Sequence, residues 1–367
     1  SYRLPRDVVR RTIRTLQDMG IEFKTKVGVG KDVALESVRA DFDAVFLATG
    51  AWSQPVIGIE AEDFIKPGLQ FLSNVKHGIE KTVGKRVVVI GGGNVAVDVA
   101  ISALRLRAEE VTLVCLEDRE DMPAFEPEIQ QAVEEGVKLM PSWGPARICT
   151  HNKSVTGIEL VRCTSVLDKE GCFAPTFDNA VTERLAADQI IMAIGRITDL
   201  SFLDPKGLLK VERGLIAIDV DTQATNIPGI FAGGDVTSGP ASVIEAIASG
   251  RKAAANINLF LKQATAQVGQ KDNTSVASLL KFNSEYLKKT DRVKVPKIPI
   301  NERRIDIEDT LGLGLSEIRT EANRCFNCGC VAVNASDMAT ALLALNARVI
   351  ISGPRGTREI TIGEFYH

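Results

Sequence analysis

Two hydrophobic patterns alternate along this chain. Short all-apolar runs end at glycines: Val45-Phe46-Leu47-Ala48 before Gly50, Val87-Val88-Val89-Ile90 before Gly91, Ile190-Ile191-Met192-Ala193-Ile194 before Gly195, and Ile230-Phe231-Ala232 before Gly233. Parallel strands covered on both faces require such runs. Between them, apolar residues recur at helical spacing over residues 4–19, 95–106 and 241–261. Pro5 opens the first of these runs and Gly20 follows it. Another helix is predicted after Met122-Pro123-Ala124-Phe125, ending at Gly136. Residues 21–25 predict a short strand, and residues 155–163 a strand in a hairpin flanking the sheet. Residues 52–80 are rich in Pro and Gly and read as irregular. Residues 263–300 read as a connecting segment, with Pro296 and Pro299 punctuating it. A short helix over 316–323 follows, then a helix and a strand hairpin over 331–367. Strands alternating with helices predict an α/β fold.

The turn Gly91-Gly92-Gly93-Asn94-Val95-Ala96 carries the most chemistry. It joins an apolar strand to a helix in the pattern G-x-G-x-x-A. A second strand, ending at Cys115-Leu116, places Glu117 at its tip. Strand, glycine turn, helix and acid are the parts of a dinucleotide site. Gly91 permits the turn, and Gly93 lets backbone approach a pyrophosphate at the positive end of the helix. Ala96 allows close packing, while Asn94 and Val95 open the helix beside the ligand. Glu117 can accept hydrogen bonds from ribose hydroxyls and repels a 2′-phosphate, so the motif predicts NAD(H) rather than NADP(H).

Charge and length then narrow the classes. The 367 residues give room for two or three domains. The 44 basic and 47 acidic residues leave a net charge of −3, which gives no reason to expect a nucleic-acid partner. No apolar run approaches the ~20 residues of a membrane span. Of seven cysteines, four are scattered, which suits a reducing, cytoplasmic setting better than a disulfide framework. Three histidines are too few and too dispersed for a metal box.

A set of motifs in fixed order adds a resemblance. Ser1-Tyr2-Arg3-Leu4-Pro5, Ala48-Thr49-Gly50-Ala51, the glycine turn with Val97-Asp98, Met122-Pro123-Ala124, Ala193-Ile194-Gly195-Arg196 and Gly233-Gly234-Asp235 span residues 1–262. The sequence resembles the glutamate synthase small-subunit family of flavoproteins in the pyridine nucleotide-disulfide oxidoreductase superfamily. The resemblance implies two Rossmann-like domains, with a nicotinamide domain inserted in an FAD domain. Residues 1–72 and 205–262 would then belong to the FAD domain and 73–204 to the NAD(H) domain. A connecting segment over 263–330 and an extension over 331–367 would follow. The resemblance places Thr49, Gly50, Gly195, Gly234 and Asp235 at the cofactors, with Asp235 accepting from a ribityl hydroxyl of FAD. The helix beginning at Ala241, Ser242 and Val243 would aim its dipole at the flavin. Gly-Gly-Asp taken alone is also simply a turn. The family's FAD pyrophosphate motif precedes its Ser-Tyr-Arg-Leu-Pro-like stretch, and here that first βαβ unit is expected to be missing. Relatives that use NADPH carry arginines in the stretch where this chain has Cys115-Leu116-Glu117-Asp118.

Cys325-x-x-Cys328-x-Cys330 is compact enough for three thiolates on one metal centre. An iron–sulfur cluster such as [4Fe-4S], zinc, or thiols without metal all fit that spacing. None of the other cysteines forms the Cys-x-x-Cys of disulfide reductases. Segments within 334–356, including Ser336-Asp337, resemble part of the FAD domain of carbon monoxide dehydrogenase medium subunits. A helix N-cap explains Ser336-Asp337 equally well. The whole reads as an NADH:acceptor oxidoreductase module passing electrons to a partner protein. No side chain is nominated as catalytic, because hydride transfer between stacked rings needs positioning rather than an acid or base. A non-catalytic docking module and a nucleotide-binding regulatory module are the alternatives.

Overall fold

The computed structural model describes residues 3–203, 209–262, 291–323, 348–353 and 356–361. They fall into two units, one within Ser1–Ala266 and Arg303–Glu308, the other within Gln267–Glu302 and Asp309–His367.

The centre of the first unit is a five-stranded parallel sheet. Its spatial order is Lys66–Pro67, Gln189–Met192, Arg86–Ile90, Glu110–Cys115, Lys138–Pro141. Alternate residues of each strand face opposite ways. Val87 and Val89 pack with Ala96, Val97 and Ala100 of helix Asn94–Arg105 and with Ile129 of helix Glu126–Glu135. Val88 and Ile90 face the other way, toward Ile148, Ile158 and Leu160. Those residues belong to a three-stranded antiparallel sheet, Trp143–His151, Ser154–Leu167 and Phe173–Ala186. Both faces of the parallel sheet are therefore covered, which is why its strands are apolar without alternation. A second, smaller parallel pair joins Val45–Leu47 to Ile230–Ala232 over a core of Leu35, Ile216 and Val236.

Two expectations are corrected. Residues 21–25 form no strand; Ile21 and Phe23 are each 46% exposed, and no described strand pairs with them. An apolar run becomes a strand only where a neighbour takes its hydrogen bonds. Residues 52–80 are not irregular throughout. Lys66–Pro67 forms the edge of the five-stranded sheet, and helix Gly68–Lys76 follows, with Phe71 fully buried in the main core. Pro67 supplies the extended residue before that helix, so the Pro-Gly pair starts an element rather than a loop. The division at residue 72 runs through this helix.

In the second unit, Lys297 bridges to Thr310, helix Leu315–Ala322 follows, and Arg348–Gly353 pairs with Gly356–Thr361 as a hairpin. Cys325, Cys328, Cys330 and the helix expected after residue 331 lie outside the described residues. No described helix is long and apolar enough to cross a membrane.

A buried ion cluster fastens residues 303–304 to the C-terminal ends of helices Asn94–Arg105 and Glu126–Glu135. Glu135 accepts from Arg105 Nε at 2.9 Å and Nη2 at 2.7 Å, and from Arg303 Nη1 at 2.8 Å. The Arg105 Nη1 group donates to the Arg304 carbonyl at 3.1 Å. All three charged side chains are almost fully buried. Burial pushes the Glu135 carboxyl up, but the two guanidinium groups outweigh it and hold it below the ordinary glutamate value. Its stabilising contribution is therefore complete above the unfolded value of about 4.3, and is lost as pH falls through the lower folded value. Glu135→Ala leaves two buried cations without their carboxylate and should cost about 3–5 kcal/mol. Denaturant unfolding measures this; a loss below about 1 kcal/mol would contradict the role given to Glu135.

Candidate functional site

Gly91 closes the strand–helix turn at φ 135°. A Cβ there would lie 2.3 Å from the Ala193 carbonyl oxygen, so only glycine fits between the two strand ends. Gly93 caps helix Asn94–Arg105, and a Cβ there would meet nothing within 4 Å. No side chain caps this helix start, so its first N–H groups face open space suited to an anion. The segment Met122-Pro123-Ala124 is tied to the turn. Ala124 N–H donates to the Gly92 carbonyl at 3.0 Å, and Phe125 N–H to Asn94 Oδ1 at 2.8 Å. Arg3 bridges Asp98 and Glu128 at 2.6 and 2.7 Å, which accounts structurally for two further motif residues.

Glu117 lies where the sequence places it. A Cβ on Gly92 would sit 2.8 Å from Glu117 Oε2, so the carboxylate hangs over the glycine turn. The Glu117 carbonyl accepts from Ser142 N–H at 2.7 Å, fixing the strand tip. Asp118 Oδ1 accepts from the N–H groups of Glu120 and Asp121, each at 3.0 Å, and so folds the following loop. Arg119 is held in a two-pronged pair with Glu126, at 2.9 and 2.6 Å. Burial, reinforced by Glu117, pushes the Cys115 thiol up to about 12, so this cysteine is an inert packing residue at neutral pH.

Beside the turn lies a cavity of about 440 Å³, lined by Trp52, Gly93, Asn94, Val95, Gly195 and Arg196 among others. Its walls come from the ends of both parallel sheets. Ser53 and Ile197 exchange backbone hydrogen bonds at 3.1 and 2.9 Å, pinning the two connecting segments together. Arg196 reaches Asp235 at 3.5 Å, and Asp235 Oδ1 accepts from Ala241 N–H at 3.2 Å. Thr49 and Gly50 follow the strand Val45–Leu47, and Gly234 N–H donates to Ser249 Oγ at 3.2 Å. Ser242 forms a capping box with Glu245 at the head of helix Val243–Leu261. Val243 and Ile244 there are 76% and 73% exposed.

Gly93, Asn94, Val95 and Gly195 thus share one cavity, while Glu117 overhangs the glycine turn. Thr49, Gly50, Gly234, Asp235, Ala241, Ser242 and Val243 belong to the smaller sheet and the helix above it. Trp52 and Arg196 stand one or two residues beyond Gly50 and Gly195, and that adjacency is their signal in the sequence. No group of His, Cys, Asp and Glu among the described residues could hold a metal ion.

The pyridine nucleotide-disulphide oxidoreductase family model matches residues 6–250. The chain belongs to this family. It is 35% identical over 345 residues to the NADP(+)-dependent formate dehydrogenase subunit beta of Moorella thermoacetica, covering 89% of this chain and 48% of that protein. It is 35% identical over 281 residues to the glutamate synthase [NADPH] small chain of Escherichia coli, covering 71% of this chain and 60% of that one. The chain thus spans about half the length of the curated relatives it matches. Among solved structures, Mycobacterium tuberculosis FprA in complex with NADPH superposes with a TM-score of 0.57 at 19% identity, covering 70% of this chain and 72% of that chain. That likeness concerns the fold.

The two glycines separate folding from binding. Gly93→Ala should fold normally yet weaken dinucleotide binding about tenfold or more, since its methyl group occupies the open space at the helix start. Gly91→Ala should destabilise the protein itself. Thermal unfolding with a parallel NADH titration checks both; unchanged NADH affinity in Gly93→Ala would contradict the placement.

Proposed function

We propose that this chain is the NADH-oxidising module of a flavoprotein oxidoreductase that passes electrons to a partner protein or subunit. Gly91 and Gly93 shape the turn for the NADH pyrophosphate, and the N-terminus of helix Asn94–Arg105 supplies its positive end. Glu117 accepts hydrogen bonds from the adenosine ribose. The cavity at Trp52, Asn94 and Gly195 receives the nicotinamide end. Asp235, already joined to Ala241 N–H, would accept from a ribityl hydroxyl, and the N-terminus of helix Val243–Leu261 would favour negative charge on the flavin. Bound FAD supplies the hydride acceptor and the step down to single-electron chemistry. The exposed apolar start of helix Val243–Leu261 and the edge of the Val45–Leu47 pair fit a flavin site completed by further polypeptide, which would supply the FAD pyrophosphate loop. Cys325, Cys328 and Cys330, with a fourth ligand from elsewhere, would hold an iron–sulfur centre as first acceptor.

The observation that carries the reading is the carboxylate of Glu117 above the glycine turn. The relatives above are named for NADP(H); Glu117 is the residue on which the NADH reading of this chain rests. A 2′-phosphate there would place like charges together in a partly dry site. NADH should therefore bind at least about tenfold more tightly than NADPH, with Glu117→Arg narrowing or reversing the ratio. Titration of both nucleotides decides it, and equal or tighter NADPH binding by the wild type would refute the role of Glu117.

Two further measurements test the electron path in the full-length protein. Asp235→Ala should weaken FAD retention about tenfold while leaving NADH binding intact. Iron and sulfide present in anaerobically prepared protein should be lost in Cys325→Ser and Cys328→Ser. Full flavin or full iron in those variants would remove the corresponding assignment.

A further inference from the structure

The loop after Glu117 contains four acids, Glu117, Asp118, Glu120 and Asp121, and one arginine, Arg119. Arg119 stands two residues from the ribose acid and within electrostatic reach of Cys115 at the strand tip. A free guanidinium at that place is the group a 2′-phosphate would recruit, because a planar fork of donors matches phosphate oxygens. It is not free here. Both of its terminal nitrogens donate to the two carboxylate oxygens of Glu126, at 2.9 and 2.6 Å.

The anchor of that pair is rigid. Glu126 opens helix Glu126–Glu135, where an acid in the first turn is favourable. The preceding residues are tied to the glycine turn itself through Ala124 N–H to Gly92 and Phe125 N–H to Asn94. Asp118 meanwhile spends its carboxylate on the loop backbone, so it does not compete for Arg119.

We propose that Glu126 is a second determinant of nucleotide choice, which excludes NADPH by sequestering Arg119 away from the 2′-phosphate position. Glu117 repels the phosphate directly; Glu126 removes the cation that would otherwise compensate. The inference rests on the NADH reading above and assigns a separate residue to it. Both side chains are substantially exposed, at 40% for Arg119 and 66% for Glu126, so the pair is of ordinary surface strength. Releasing Arg119 should therefore shift affinity by a few-fold rather than by orders of magnitude.

The test is a four-protein cycle: wild type, Glu126→Gln, Arg119→Ala and the double variant, each titrated with NADH and with NADPH at low and moderate salt. Glu126→Gln should tighten NADPH roughly threefold and leave NADH unchanged, the gain shrinking as salt rises. In the Arg119→Ala background the same substitution should give no gain. The wild-type ratio of affinities reports on Glu117, whereas the change in that ratio reports on the Glu126–Arg119 pair, so either assignment can fail without the other. An unchanged ratio in Glu126→Gln overturns the proposal. So does an equal gain in the absence of Arg119, which would reduce Glu126 to one more diffuse negative charge.

Discussion

The nucleotide face is built around one close approach, that of the Gly91 backbone to the carbonyl of Ala193. Two neighbouring parallel strands end there, and the chain must turn into a helix in the gap between them. With a Cβ position only 2.3 Å from that carbonyl oxygen, the turn has room for backbone alone. The consequences spread outward. Helix Asn94–Arg105 starts directly at the strand ends, its first N–H groups without a side-chain cap. Ala96, fully buried, seats the helix on the sheet. The segment after residue 193 is brought beside the turn, where Gly195 and Arg196 line the cavity with Asn94. A fold that buries both faces of its sheet thus leaves a largely apolar concavity, edged by Asn94 and Arg196, at the carboxyl ends of its strands, the place where ligands of open α/β sheets bind.

Electrostatics then selects among ligands the backbone would accept. The helix start favours any pyrophosphate, whichever nucleotide carries it. On the proposed reading, discrimination falls to the loop at the tip of the neighbouring strand. Its charged groups are disposed differently: Glu117 over the turn, Asp118 folded into the loop, and Arg119 paired with Glu126. A few atoms at the rim would then set this chain's choice apart from that of relatives named for NADP(H).

The parts legible in the sequence are those where one residue type answers one physical demand. All-apolar strands ending in glycine gave away the parallel sheet, and the glycine turn with its spaced acid gave away the cleft. Helix Glu126–Glu135 was legible from Gly136, which takes φ 106° at its C-terminus, and helix Val243–Leu261 from its apolar periodicity. What was not legible depended on partners distant in the chain. Residues 21–25 look like a strand but have no described neighbour to pair with. Lys66–Pro67 and helix Gly68–Lys76 are hidden among prolines and glycines, because Phe71 earns its burial only against a core contributed by residues 87–191. The ion cluster of Arg105, Glu135 and Arg303 joins charges up to 198 positions apart, counted from 105 to 303, and no local pattern encodes it.

The central claim is that this chain positions NADH to reduce a flavin. Anaerobic rapid mixing of the flavin-loaded, full-length protein with each nucleotide, followed in the visible absorbance of oxidised flavin, tests it most directly. The account predicts prompt bleaching by NADH and much slower bleaching by NADPH at equal concentration. An oxidised band that persists in NADH, or that NADPH bleaches faster, would contradict it.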